Sequence, residues 1–279
     1  MGRKGISARR SLADREVPMS EETRSFALSF IMSTQEQQVQ EQTKEEEGEV
    51  QIRLVENPSP DELKRIIDVL LSSFDGVDIG LQSLTLGDKV IEELMYNLTL
   101  QQALRNGLCY VAEHQGSRSI CGVSVWTAPG NLWKIHTDPE FTKQLPHDLR
   151  EWYENHYSVK YEELYSMGFS SPFSSSASSS SLKNQNGFPR NHVWTLKLIA
   201  VVPEARRKGI GKSLINVCCK EVDRYTQWVA TDVTDPNIVN FLQQFGFQYC
   251  AVKNISSSTT PGFPIWCMIR EPPQAPSHS

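Results

Sequence analysis

Between Pro203 and Leu214 the chain reads PEARRKGIGKSL. Three consecutive basic residues precede two glycines one residue apart, and a lysine and a hydroxyl follow. Glycines let a backbone approach a ligand closely, and the free N–H groups and dipole of a following helix attract anions. The stretch therefore has the chemistry of a phosphate cradle. Two phosphate templates each fail on one residue. The nucleotide loop G-x-x-x-x-G-K-[ST] is met at Gly211, Lys212 and Ser213, but Arg206 stands where its first glycine belongs. The dinucleotide template G-x-G-x-x-G puts Leu214 in place of its third glycine. A third arrangement, R/Q-x-x-G-x-G/A behind a strand ending V-x-P, is met in full by Val201, Pro203, Arg206, Gly209 and Gly211. The plain alternative is a basic, solvated turn between a strand and a helix.

The flanking sequence has the elements such a turn needs. VWTLKLIAVV precedes it as a strand, and apolar spacing predicts a helix from about Gly209 to Tyr225 after it. WVATDV reads as the next strand, then a short helix from about Pro236 to Gln244, then the strands FQYCAVK and FPIWCMIR. Upstream, VQIRLVE alternates as a strand, and SPDELKRIIDVLLSSF opens a helix with Ser59 at the N-cap, Pro60 at N1 and Glu62 at N3. A second helix is expected through KVIEELMYNLTLQQAL, and a hairpin through LCYVAEH, QGSRS and ICGVSVWTAP. DLREWYENHYSVKYEELYSMGF carries an aromatic stripe at helical spacing, expected as core or pocket wall. The order β-α-α-β-β-α-β-α-β-α-β-β is that of one α/β domain with a mixed sheet, running from 50 to 270. Residues 1–49 are too polar and charged to offset their ordering entropy and are expected to be disordered. Met32 would serve as a second start. The serine-rich run 170–191 is expected as a flexible loop inside the domain, and 271–279 as a flexible tail.

Composition narrows the function classes. A net charge of -5 argues against a nucleic-acid surface as the main function, so any phosphate site must be local. No apolar run is long enough to cross a bilayer, and the basic start lacks the apolar core of a secretory signal. Ile6 breaks the myristoylation pattern, and Asp14 and Glu16 disfavour a mitochondrial presequence. The six cysteines include no CxxC pair and lie mostly in apolar runs, so they read as small buried residues of a reduced, cytoplasmic protein, neither metal ligands nor disulfides. The sequons at Asn97 and Asn254 then carry no glycan.

The V-x-P-x-x-R-x-x-G-x-G run resembles the pyrophosphate-binding signature of the GNAT superfamily of acyl-CoA-dependent N-acyltransferases. WTLKLIAVVPEARRKGIG, VSVWTAPG, TDPNIVNFLQQFGF and IWCMIREP are similar to the corresponding stretches of puromycin N-acetyltransferase-like proteins. The resemblance spans about Val50 to Pro272 apart from the serine run, and is specific in the C-terminal half. It implies the GNAT fold, with a mixed central sheet flanked by helices, and acetyl-CoA as co-substrate, with no metal. Ile199, Ala200 and Val201 would bond the pantetheine arm where two strands splay apart. Arg206, Arg207, Lys208, Gly209, Ile210, Gly211 and Lys212 would cradle the pyrophosphate. Asn237 would touch the cofactor, or serve as a helix N-cap, or do both.

The implied reaction is attack of a neutral amine on a thioester, which needs a proton acceptor but no covalent intermediate. Cys218 and Cys219 are therefore not nucleophile candidates. The resemblance departs at two places. Leu242 stands where relatives carry a tyrosine acid, and Thr195 where some carry a glutamate base. His192, just before the strand, is the base candidate, and Glu154, His156, Tyr157 and Tyr161 are candidates for an acceptor pocket. The acceptor implied is a small-molecule amine, in detoxification or secondary metabolism, with no nucleic-acid or membrane partner. Two alternatives stay open: a protein amine as acceptor, or a non-catalytic acyl-CoA-binding module.

Overall fold

A computed structural model describes residues 49–74, 78–131, 133–170, 190–257 and 260–273. The expectations for residues 1–48, for the serine-rich run 171–189 and for 274–279 lie outside the described residues. Seven strands form one sheet: β1 (Val50–Leu54), β2 (Gly107–His114), β3 (Ile120–Thr127), β4 (Trp194–Val201), β5 (Val229–Val233), β6 (Phe247–Ile255) and β7 (Phe263–Arg270). Their order is β1-β2-β3-β4-β5-β7-β6. All neighbours are antiparallel except β4 and β5, so the sheet is mixed as expected.

The helices are α1 (Pro60–Phe74), α2 (Ile79–Thr85), α3 (Lys89–Asn106), α4 (Pro139–Gln144), α5 (His147–Trp152), α6 (Ser158–Phe169), α7 (Ile210–Arg224) and α8 (Pro236–Gln243). Ser59 Oγ accepts from Glu62 N–H at 3.2 Å, the capping contact expected for α1. The short helices α2 and α4 were not legible. Each is capped by an aspartate, Asp78 and Asp138, whose local signal is brief.

Neighbouring strand residues feed different cores, as a two-layered packing requires. Val125 and Ala230 join α1, α3 and α6 in one, whereas Trp126 and Val229 join α7 and α8 in the other. Burying these apolar faces is what holds the sheet between two layers of helix. Cys109, Cys121, Cys218, Cys219 and Cys267 are buried and Cys250 is half-buried. On the sheet's far side Arg270 donates to both carboxylate oxygens of Asp223, at 2.6 and 2.7 Å, and to the Phe245 carbonyl at 2.8 Å. That clamp ties α7 to β7 and to the turn after α8.

Between α5 and α6 the helix widens into a π turn, Tyr153–Tyr157, a local form common at functional sites. The aromatic stripe runs straight through it. Tyr153, Tyr157, Tyr161, Tyr165 and Phe169 touch ring to ring in series, edge-on, tilted or stacked, with centroids 4.9 to 5.8 Å apart.

Candidate active site

The cradle begins where β4 ends. Pro203–Ala205 form one short helical turn, Arg206 is extended, and Arg207 and Gly209 take left-handed φ values of 66° and 84°. Gly209 is the N-cap of α7 and offers no side chain, so the first N–H groups of that helix are left for a ligand. A Cβ on Gly211 would meet the Phe241 ring at 3.3 Å, which explains glycine there. Arg207, Lys208 and Lys212 are exposed around the turn. Arg206 is used differently from the expectation. Its Nε–H donates to Val201 O at 3.0 Å and its Nη2 to Ser73 O at 2.7 Å. The guanidinium is thus committed to two carbonyls, joining the end of α1 to the end of β4.

Beside the cradle the sheet opens. β4 and β5 pair only at Trp194↔Val229, Thr195↔Ala230 and Leu196↔Thr231. Beyond those three pairs the strands part, leaving Lys197 on one side and Asp232 on the other. Lys197 is also the extra residue of a bulge. Val125 pairs with Leu198 and Trp126 with Leu196, so Lys197 has no register partner on either neighbour. Bulges re-aim side chains and are frequent beside active sites.

A cavity of about 220 Å³ occupies this opening. Leu198, Ile199, Asp235, Ile238 and Leu242 line it toward α8 and the cradle. Tyr96, Trp133, His136, Tyr157 and Tyr161 line it toward the aromatic helix, with Lys197 and Asp232 where the strands part. Burial lowers the Lys197 ammonium from 10.5 to about 8, with Arg190 and Lys134 pushing the same way against the opposing pull of Asp232. Among the described residues Lys197 makes no hydrogen bond or ion pair, and its remaining accessible surface is that of a cavity wall. Asp232 Oδ1 accepts from Tyr165 OH at 2.6 Å and from Tyr161 OH at 3.2 Å. Burial, and then the Asp232 charge, raise both phenols above their ordinary value. His136 is buried edge-on against Tyr157 and Tyr161, and burial lowers it to about 4, so it is neutral at pH 7. Arg190 stacks on Tyr165, with its guanidinium carbon 3.3 Å from the ring centroid, and donates to Tyr161 OH at 3.1 Å.

Of the sequence-derived candidates, Tyr157, Tyr161 and Ile199 line the opening, and Leu242 does too, fully buried. Ala200 and Val201 continue the same strand toward the cradle. His192 lies in an exposed turn before β4 and lines no cavity described here, and Glu154 is exposed on the far side of the helix. His156 packs on Trp152 instead. Asn237 is not the N-cap of α8. Asp235 is, accepting from the Asn237 N–H at 2.8 Å and from its Nδ2 at 3.0 Å. Lys197, Asp232, His136 and Arg190 were missed. A lysine inside the apolar strand WTLKLIAV was the one available signal.

Residues 181–249 match a family model described as Acetyltransferase (GNAT) domain. No curated protein sequence matches the chain. Three solved structures of similar fold are informative. Mosquito arylalkylamine N-acetyltransferase-like 5b superposes with a TM-score of 0.55 at 13% identity, over 80% of this chain and 100% of that one. Arylalkylamine N-acetyltransferase 2 from Aedes aegypti gives 0.52 at 14% identity, over 81% and 100%. The structure titled histone acetyltransferase HPA2 and related acetyltransferase, from Corynebacterium glutamicum, gives 0.51 at 16% identity, over 81% and 98%. The chain has the GNAT fold. The matched residues 181–249 include the strand, cradle and helix described above. No helix among the described residues is long and apolar enough to cross a membrane, and none of their His, Cys, Asp and Glu side chains group to hold a metal ion.

Proposed function

We propose that residues 50–270 form an acetyl-CoA-dependent N-acetyltransferase acting on a small-molecule amine in the cytoplasm. The observation that carries this reading is the opened sheet. An uncapped, glycine-lined helix N-terminus lies on one side, an aromatic cavity on the other, and the half-buried Lys197 stands between them. The cradle of Arg207 to Lys212 would hold the pyrophosphate, and Ile199, Ala200 and Val201 the pantetheine arm. The aromatic cavity, the similarity to puromycin N-acetyltransferase-like proteins and the amine-acetylating names of two structural neighbours support a small acceptor.

Acetyl-CoA supplies the activated acetyl group. The acceptor nitrogen forms a bond to the thioester carbonyl carbon, the carbon–sulfur bond breaks, and coenzyme A leaves as thiolate and takes a proton from solvent. The residues of this chain orient the amine and receive its proton. Lys197, which replaces His192 in that role, can do so because burial favours its neutral form. Its lack of strand partners frees the bulge for the reacting groups. Asp232, held by two tyrosine hydroxyls, fixes the aromatic helix against the opening.

A second reading, a non-catalytic acyl-CoA-binding module, is favoured by Leu242, which lines the opening and cannot donate a proton. Thiol release from acetyl-CoA across a panel of amines, measured beside calorimetric acetyl-CoA binding, decides between them. Binding with turnover of at least one amine is expected. Binding without any turnover would favour the module.

A further inference from the structure

A second, polar cavity of about 250 Å³ adjoins the aromatic one, and Trp133, Lys134 and Lys197 line both. Its other walls include Asn131, Glu162, Arg190 and Thr195. Two cationic side chains, Lys134 and Arg190, one carboxylate and the Lys197 amine face it. Lys134 donates to Glu162, and Arg190 Nη1 lies 3.8 Å from that same carboxylate. Glu162 therefore offsets only one of the positive charges.

Among the described residues, two buried donors in this wall make no hydrogen bond: Asn131 Nδ2 and Arg190 Nη1. Both are held in place by their other atoms. Asn131 Oδ1 accepts from the Trp133 N–H at 2.9 Å, which leaves the amide nitrogen as the unused end. Arg190 is fixed by its stacking on Tyr165 and its bond to Tyr161. Buried donors are nearly always satisfied, and leaving them unmade is costly. Held donors beside surplus positive charge call for an anionic acceptor, and a carboxylate with two oxygens matches a guanidinium and an amide. Asp232, whose charge also acts on Arg190 and Lys197, directs its Oδ1 to the Tyr161 and Tyr165 hydroxyls.

We propose that the polar cavity binds the carboxylate of the acceptor, and that the acceptor is an aromatic or apolar α-amino acid. An α-amino acid carries amine, carboxylate and side chain on one carbon, and Lys197 stands where the two cavities meet. The carboxylate goes to Asn131 and Arg190, the side chain to the aromatic cavity, and the amine to Lys197. This deepens the acetyl-transfer reading and rests on it.

The test uses pairs that differ by the carboxylate alone: L-phenylalanine against 2-phenylethylamine, and L-tryptophan against tryptamine. With the full chain, kcat/KM for thiol release should favour the amino acid at least tenfold in each pair. Asn131→Asp turns the unused donor into a carboxylate oxygen and should cut that preference at least tenfold. Arg190→Gln should also cut it. Equal or better turnover of the decarboxylated partners, or a preference untouched in folded Asn131→Asp, overturns the proposal while leaving acetyl transfer standing. Calorimetry with 3-phenylpropanoate, which has no amine, reads the subsite without turnover. Binding to wild type that is lost in Asn131→Asp supports the subsite even if no amine is acetylated, in which case the acetyl-transfer reading is the one that falls. No binding to wild type overturns the subsite.

Discussion

Replacing Lys197 by methionine should make the protein more stable and far less active. The lysine is lowered from 10.5 to about 8 because its charged form is taken out of water. At 1.36 kcal/mol per pH unit that difference of about 2.5 amounts to about 3 kcal/mol as an upper value. The sign follows from proton binding. Below pH 8 both folded and unfolded chains carry the charge, and the folded state bears the whole cost. Between 8 and 10.5 the unfolded chain holds more protons than the folded one, so wild-type stability rises with pH across that window. A methionine side chain has no proton to lose, so Lys197→Met should exceed wild type at pH 7 by up to about 3 kcal/mol and lack that rise. At roughly 2 to 4 °C per kcal/mol, calorimetry should resolve the gain. Removing a proton acceptor should at the same time lower kcat by about 100 to 10,000-fold. In wild type the neutral fraction of Lys197 is about one-tenth at pH 7 and nine-tenths at pH 9, so kcat should rise close to tenfold with its midpoint near 8. An aniline-type acceptor, uncharged throughout, isolates that limb from titration of the substrate. A Lys197→Met protein with kcat within threefold of wild type, or a flat wild-type profile between pH 7 and 9, would refute the assignment. Lower stability of the variant at pH 7 would refute the burial argument beneath it.

Three further outcomes are expected. Gly211→Asp should abolish acetyl-CoA binding by calorimetry, because the added Cβ meets Phe241 at 3.3 Å and the carboxylate repels phosphate at the helix N-terminus; normal affinity in the folded variant would remove the cradle assignment. Arg206→Ala should lower stability by about 1 to 3 kcal/mol in a denaturant melt, since its charged hydrogen bonds go to Ser73 and Val201 carbonyls. A loss of acetyl-CoA affinity without any loss of stability would return Arg206 to the phosphate. Asp223→Ala should cost about 3 to 5 kcal/mol, because it strands the buried guanidinium of Arg270, which is 9% exposed; a loss under 1 kcal/mol would mean the clamp is solvated.

The strands, the long helices and the cradle were legible because each is encoded locally. Alternation, helical spacing, Ser59 before Pro60 and the glycines after Pro203 act within a few residues of the chain. The aromatic stripe was equally plain as a stripe, and Tyr157 and Tyr161 do line the opening. Which of its neighbours would join them was not. Glu154 and His156 sit within three residues of Tyr157, yet the π turn and the helical rotation carry both away from the cavity. Asn237 was open to two readings, and the cap fell to Asp235 two residues earlier, a choice made by where the chain turns out of β5.

By itself, then, the sequence determined the order of elements, the mixed sheet they imply and the anion-binding turn at 203–214, since all of these follow from neighbours in the chain. Only the tertiary structure decided the chemistry at the opening. Lys197 is an unremarked lysine in an apolar run until β3 imposes a bulge on it and β5 parts from it, and both events depend on strand registers set far away in sequence. Its environment is assembled from β4, β5, the aromatic helix and the turn at Arg190. A proton affinity that depends on burial by those elements is written in no local pattern, because desolvation is a property of everything packed around a group and not of the group's neighbours along the chain.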